Sequence, residues 1–154
     1  VSDGANMVAR AQVMAAASLG AAAFQKGLGA IHAMSHPVSA LYDSHHGLTN
    51  AVVMPYVLMR NRTAIEDKLS RVSSYLGLAG KASSGFGVFV DWTLDLRKAF
   101  EMPHTLEGLE VEESRFDDLA AAAAVDPTSI ANPVKLDAAD YRTLYENAFT
   151  GALG

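Results

Sequence analysis

Four of the five histidines lie within fifteen residues, in the sequence GLGAIHAMSHPVSALYDSHHGL at positions 27–48. His32 and His36 are four residues apart, so on a helix their imidazoles project from the same face, one turn apart. His46 follows ten residues later, and a turn between them would let it approach that face from a second helix. Neutral imidazole is a common metal ligand and a common proton carrier. The spacing therefore indicates a metal site or a catalytic site.

Less specific explanations of these residues remain open. His-x-x-x-His pairs also occur by chance on exposed helix faces, so spacing alone supports a site and a non-functional cluster about equally. We expect His104 to be an ordinary surface or hydrogen-bonded residue, and His45 is nearly as weak a candidate. Asp43 is the nearest carboxylate and would complete a self-contained site with two or three histidines, although a helix N-cap is its favoured role.

Other familiar enzyme motifs are missing around the cluster. Ala33 follows His32 where a zincin would carry glutamate, so a metalloprotease would lack its general base. Ser35 and Ser44 lie near histidines, but neither stands in a Gly-x-Ser-x-Gly turn. The sequence has no cysteine, which excludes thiolate ligands and cysteine nucleophiles. Any metal must therefore be held by nitrogen and oxygen atoms.

The composition is that of one compact domain. The chain has 154 residues, of which 50% are hydrophobic and 19% charged, and we treat residues 1–154 as a single domain. The net charge of −5, without a basic block, argues against nucleic acid as a partner. The absence of cysteine is compatible with a reducing compartment, and we expect a cytoplasmic protein.

Helical periodicity recurs along the chain and no segment alternates like a strand, so we predict an all-α, multi-helix bundle. The most apolar segment, residues 5–24, contains Arg10, Gln12 and Ser18, which argues against a membrane span or a signal sequence. We expect it to be a helix packed in the middle of the bundle. Because the chain starts at Val1 and enters this helix almost at once, we also expect a fragment of a longer protein.

Capping residues and apolar stripes predict the remaining helices. We expect N-caps at Asp43 or Ser44, at Thr63 with Glu66 in a capping box, at Ser83 or Ser84, and at Asp137 with Asp140. Glycines, among them Gly77 and Gly80, should end helices. Two apolar stripes should face the core: Phe89, Trp92, Leu96 and Phe100 in one helix, and Tyr141, Leu144, Tyr145 and Ala148 in the last.

A longer pattern surrounds the histidines. It comprises Gly27-Leu28-Gly29, His32-Ala-Met-x-His36-Pro37, His46-Gly47, Asn50-Ala51 and Pro55, with Ala22-Ala23-Phe24 before it and Ala123, Asp126, Asn132 and Pro133 far downstream. This pattern resembles the signature region of the iron-containing (group III) alcohol dehydrogenases. The resemblance covers most of the chain but only the C-terminal helical domain of that dehydroquinate-synthase-like fold. The family's N-terminal α/β domain and its Asp-Ala-Leu-x-His-Ala helix have no counterpart in the sequence.

The resemblance implies a role for each histidine of the cluster. His32 and His46 correspond to two of the family's metal ligands, and the other two, an Asp and a His, would lie upstream of Val1. His36 corresponds to the family histidine near the nicotinamide and the substrate, which is catalytic or part of a proton path. The ion would be Fe(II) or Zn(II). NAD or NADP would be bound mainly by the missing domain.

We therefore expect the C-terminal domain of a metal-dependent alcohol dehydrogenase that transfers hydride between a primary alcohol or aldehyde and NAD(P). The isolated chain should be inactive, because half of the ligands and the dinucleotide site are absent. Its expected partners are the small alcohol or aldehyde and the missing N-terminal domain, without nucleic acid or membrane, and a homo-oligomer stays open. The alternative is a stand-alone α-helical binding or interaction module whose histidines bind metal without catalysis or are structural.

Overall fold

The computed structural model describes residues 3–78 and 84–153. Within these ranges the chain forms seven α-helices, four short 3-10 helices and no strand, so the all-α prediction is confirmed. The α-helices are α1 (Met7–Ala23), α2 (Ala30–Tyr42), α3 (His46–Arg60), α4 (Arg62–Tyr75), α5 (Gly85–Ala99), α6 (Phe116–Val125) and α7 (Ala138–Thr150). The 3-10 helices are Phe24–Lys26, Glu107–Leu109, Glu113–Arg115 and Pro127–Ala131.

The main core lies between α2, α3, α6 and α7, and α4 and α5 form a hairpin that packs against α3. Helix α7 was predicted correctly. Asp137 and Asp140 form its capping box, Gly151 ends it at φ 84°, and its four predicted core residues are buried. Within the core, the buried Tyr145 hydroxyl donates to the Met34 carbonyl at 2.7 Å and ties α7 to α2.

The predicted core stripe of α5 is wrong. Trp92, Leu96 and Phe100 are 38–49% exposed, and the buried positions are Phe86, Val90, Thr93 and Arg97. Ser84 does cap the helix, whereas Ser83 and Gly80 lie outside the described residues. The buried face is selected by tertiary contacts: the Arg97 guanidinium donates to the Val52 carbonyl at 3.0 Å. Hydrophobic periodicity does not register this polar contact, because it counts only apolar side chains.

Two predicted N-caps are also wrong. Helix α3 is capped by His45, whose Nδ1 accepts from the Leu48 amide at 3.3 Å. Asp43 instead ends α2, in the left-handed conformation at φ 50°. Because only Asn61 separates α3 from α4, Thr63 lies inside a helix and cannot cap one.

Helix α1 is not packed in the bundle. Its large apolar side chains, Met7, Val8, Val13, Met14 and Leu19, are 66–72% exposed, and among the described residues the helix chiefly contacts the Phe24–Lys26 turn. The prediction failed because composition shows that a helix is apolar but not which residues cover it. By length and composition only, Met7–Lys26 could also cross a membrane, with a mean hydropathy of 1.3. Core helices of soluble proteins meet the same criterion, so the expected absence of a membrane partner stays a prediction.

Two asparagine carboxamides hold the start of α2 in place. Asn132 and Asn61 form two mutual hydrogen bonds of 2.8 and 2.9 Å, and Asn61 is buried. Asn132 also accepts from the Ala30 amide at 3.2 Å and donates to the Val134 carbonyl at 2.7 Å. The first turn of α2 is thereby joined to the α3–α4 junction and to the segment after Ala131.

Close backbone approach explains the glycines before α2. Gly27 has φ +94°, and a Cβ there would come within 2.9 Å of Ala131 Cβ. A Cβ on Gly29 would come within 3.1 Å of Asn132 Oδ1. Gly27 and Gly29 thus allow the chain to pack closely against Ala131 and Asn132.

We predict that Asn132→Leu lowers the free energy of unfolding by about 2–4 kcal/mol, because four hydrogen bonds are lost and the buried Asn61 amide loses its partner. Urea unfolding followed by circular dichroism measures the change. The double variant Asn61→Leu/Asn132→Leu should be less destabilised than the sum of the two single variants. Asn147→Leu on α7 is the matched control, and an equal loss in the control would refute the special role of the pair.

Candidate metal centre

Two helices bring three histidines together. His32 and His36 lie on consecutive turns of α2, and His46 is the first residue of α3. Their ring centroids are 5.2–6.0 Å apart, and the planes of His36 and His46 are stacked at 16°. The ring contacts among the described residues do not include His45 or His104. His45 caps α3, and the backbone carbonyl of His104 accepts from the Tyr56 hydroxyl.

The ring nitrogens of two of these histidines converge on one amide. Asn50, one turn after His46 on α3, places Nδ2 3.0 Å from His46 Nε2 and 3.4 Å from His32 Nε2. In this orientation of the amide the NH₂ can only donate, so both Nε2 atoms accept and each neutral ring carries its hydrogen on Nδ1. This tautomer leaves the Nε2 lone pair available to a metal. The residues therefore fit a cation held through His32 Nε2 and His46 Nε2.

These two nitrogens do not make a complete site. Structural and catalytic divalent metal sites usually have three or four protein ligands. Among residues 3–78 and 84–153, no group of three or more histidine, aspartate or glutamate side chains is arranged to hold a metal. Asp43 in particular lies beyond the end of α2 as its C-cap, and the self-contained site with Asp43 does not form.

Electrostatics favour a neutral ring at His32. Burial lowers the pKa of His32 below 6.5, and the neighbouring His46 and His36 lower it further, against a smaller opposing effect of Asp126. Because burial and like charge both disfavour the imidazolium, the lone pair stays free at neutral pH. The site is thus suited to bind a cation rather than an anion.

His36 has a different partner. Its Nδ1 lies 2.8 Å from Asp126 Oδ2, and Asp126 Oδ1 accepts from the Thr128 amide at 2.8 Å and from the Thr128 hydroxyl at 2.5 Å. Burial acts to raise the pKa of Asp126, but the hydrogen bonds from Thr128 and His36 outweigh it and the pKa is lowered. The ionised carboxylate accepts the Nδ1 hydrogen, which leaves His36 Nε2 free to exchange a proton.

Sequence reasoning missed Asp126 as a site residue. Asp126 stood there only as one position of the family resemblance, because a contact between residues 90 positions apart leaves no local pattern. Its place in the resemblance, directly before Pro127, was the one signal available.

The cluster is open to solvent. The His36 side chain is 42% exposed, and a cleft of about 240 Å³ adjoins His32, lined partly by Leu28, Ile31, Leu58 and Pro133. A sealed cluster would have favoured purely structural histidines. The cleft leaves room for a small molecule beside His32.

Comparison with known proteins gives a consistent match. Residues 1–149 match the family described as Fe-containing alcohol dehydrogenase family, C-terminal. The 4-hydroxybutyrate dehydrogenase of Cupriavidus necator is 37% identical over 155 residues, covering 95% of this chain and 39% of the relative. The 1,3-propanediol dehydrogenase of Citrobacter freundii is 29% identical, covering 97% of this chain and 40% of the relative.

A solved structure shares the architecture. The 1,3-propanediol oxidoreductase crystal structure superposes with a TM-score of 0.74 at 29% identity, over 79% of this chain and 33% of that chain. The chain thus spans about two fifths of the length of the curated relatives and a third of this structure.

We predict that Asp126→Asn lowers the free energy of unfolding at neutral pH by about 1–3 kcal/mol, because hydrogen bonds to an ionised acceptor are lost. Since folding lowers the pKa of Asp126, its contribution is present above the ordinary value of 3.8 and is lost as the pH falls. Urea unfolding between about pH 7 and 3.5 should show the difference from wild type narrowing in acid. A difference independent of pH, or one shared by the exposed Asp67→Asn, would contradict this.

Proposed function

The chain belongs to the iron-containing alcohol dehydrogenase family, as its C-terminal domain, and we propose that it is the metal-binding half of an NAD(P)-dependent alcohol dehydrogenase. The proposed reaction is hydride transfer between a primary alcohol or its aldehyde and NAD(P). The names of the two relatives support this substrate class, because 4-hydroxybutyrate and 1,3-propanediol both carry a primary hydroxyl.

The observation that carries the proposal is the convergence of His32 Nε2 and His46 Nε2 on one point. We assign these nitrogens as two of the metal ligands. A bound Fe(II) or Zn(II) would lower the pKa of an alcohol hydroxyl by stabilising the alkoxide. The two neutral imidazoles point their Nε2 atoms at the same place. They fill only two coordination positions of the metal and leave the others for further donors.

His36 is the proposed catalytic residue. Asp126 holds the Nδ1 hydrogen, so His36 Nε2 is the atom that accepts the proton released from the alcohol hydroxyl. The 42% exposure of the side chain gives that proton a way to solvent. Stacking on His46 keeps the proton acceptor next to a proposed metal ligand.

The other requirements of the reaction are assigned to the rest of the longer protein. We propose that residues beyond this chain supply the remaining ligands, bind most of NAD or NADP, and cover the apolar surface of α1. The share of the relatives that this chain spans, 39–40%, supports such a division. We further propose a cytoplasmic protein that engages neither nucleic acid nor a membrane.

The stand-alone binding module gains no specific support, since its histidines would be expected to lie in a closed bundle and His36 is open to solvent. It is the alternative hypothesis, and tests of Zn(II) binding and of alcohol oxidation bear on it.

We predict that Zn(II) added to the 154-residue chain near pH 8 shifts the imidazole ¹⁵N resonances of His32 and His46 in NMR spectra. His32→Ala and His46→Ala should each weaken Zn(II) binding at least tenfold, because one nitrogen ligand cannot replace two. His104→Ala is the control and should bind as wild type does. Equal binding by all four proteins would refute the assigned ligand pair.

We also predict no measurable alcohol oxidation by the 154-residue chain with Fe(II) or Zn(II), NAD or NADP, and short primary alcohols. The two proposed ligands are insufficient for hydride transfer without the further ligands and the dinucleotide site that we assign to the rest of the longer protein. Absorbance at 340 nm follows the reaction. Turnover near about 1–10³ per second, the ordinary range for enzymes, would show that the chain is complete by itself.

A further inference from the structure

We propose that Asn50 is a positioning residue for the metal: its amide sets the tautomer and direction of the His32 and His46 rings, and turns its carbonyl oxygen towards a bound cation. The inference rests on the proposed function, because it takes these two histidines as the ligands. It concerns a residue that is neither a ligand in the family resemblance nor part of the proton path.

The NH₂ group of Asn50 is shared by the two histidine rings. One NH₂ group has two hydrogens, and Asn50 Nδ2 lies within hydrogen-bond distance of His46 Nε2 at 3.0 Å and of His32 Nε2 at 3.4 Å. While the NH₂ faces the rings, both carry the hydrogen on Nδ1 and the lone pair on Nε2. A single side chain from α3 thus aligns one ligand on its own helix and one on α2.

The carbonyl oxygen of the same amide is not held by a hydrogen bond among the described residues. This oxygen, Asn50 Oδ1, is also buried. The two imidazoles are therefore the only polar contacts of this side chain in that part of the structure. Since no donor anchors the oxygen, a half-turn about the Cβ–Cγ bond exchanges the nearly isosteric oxygen and nitrogen without repacking.

A bound cation would change which end of the amide is favoured next to the histidines. Zinc lies about 2.0–2.1 Å from an imidazole nitrogen, which is closer to His32 Nε2 and His46 Nε2 than Asn50 Nδ2 is. An N–H dipole pointing at the cation would be repelled, whereas a carbonyl oxygen is attracted. The half-turn therefore suits Asn50 to two states of the site. Without metal its N–H groups face the Nε2 lone pairs, and with metal its C=O faces the positive charge.

A simpler possibility is that the amide merely competes with the metal for the two nitrogens. Removing Asn50 would then tighten metal binding, whereas removing a positioning residue weakens it. Asn50→Leu separates these outcomes, because leucine has a similar size but neither donor nor acceptor. Asn50→Asp keeps an oxygen at both ends, and Asn147→Leu on α7 is the matched control.

The experiment uses the 154-residue chain near pH 8, where unperturbed imidazole is neutral. NMR reads the imidazole ¹⁵N shifts, which report the tautomer, first without metal and then during a Zn(II) titration. Asn50→Leu should give mixed tautomers at His32 and His46 and a Zn(II) affinity at least tenfold weaker, as for other residues that orient metal ligands. Asn50→Asp should bind Zn(II) at least tenfold more tightly, and Asn147→Leu should match wild type.

Several outcomes would overturn the inference. Unchanged tautomers or an undiminished Zn(II) affinity in Asn50→Leu would show that the amide does not position the rings. Weaker Zn(II) binding by Asn50→Asp would show that the side-chain oxygen does not face the bound cation. Asn50→Ala provides the same comparison without new bulk if the leucine variant does not fold. These failures differ from a failure of the proposed function, in which His32→Ala and His46→Ala would bind Zn(II) as wild type does.

Discussion

The carboxamide of Asn132 makes four hydrogen bonds to groups from three separate parts of the chain, and the geometry of the histidine cluster depends on it. It fixes the Ala30 amide at the start of α2, two residues before His32. Through Asn61 it also fixes the end of α3, the helix that carries His46. The same side chain therefore holds both helices that carry the imidazoles. Its partner Asn61 is buried, so water competes little for the two hydrogen bonds between the asparagines.

The short segment from Asp126 to Asn132 contacts both parts of the histidine cluster. Asp126, at the start of the 3-10 helix Pro127–Ala131, holds His36, and Asn132, at its end, holds the first turn of α2. The histidines proposed as ligands and the histidine proposed to handle the proton are thus aligned by opposite ends of one element. This arrangement also explains the glycines before α2, because the same segment passes within Cβ distance of Gly27 and Gly29.

The sequence predicted what depends on local spacing. The pair His32 and His36 follows from the helical repeat, and the cap and core face of α7 follow from Asp137, Asp140 and Tyr141. Contacts distant in sequence were not predictable: Asp126 reaches His36 across 90 residues, and Asn132 reaches Ala30 across 102. The exposed α1 and the buried face of α5 failed for a related reason, since apolar periodicity cannot tell which neighbour covers a face.

The difference in sequence separation within the site has a kinetic meaning. His32 and His46 are fourteen positions apart, whereas His36 and Asp126 are 90 apart. Closing the longer loop costs about 1.6 kcal/mol more chain entropy than closing the shorter one. During synthesis from the N-terminus, α2 and α3 are complete long before Asp126 has been added. The imidazoles of His32 and His46 can therefore meet first, and Asp126, which orients His36, arrives later, so the proposed ligand pair assembles before the proposed proton path.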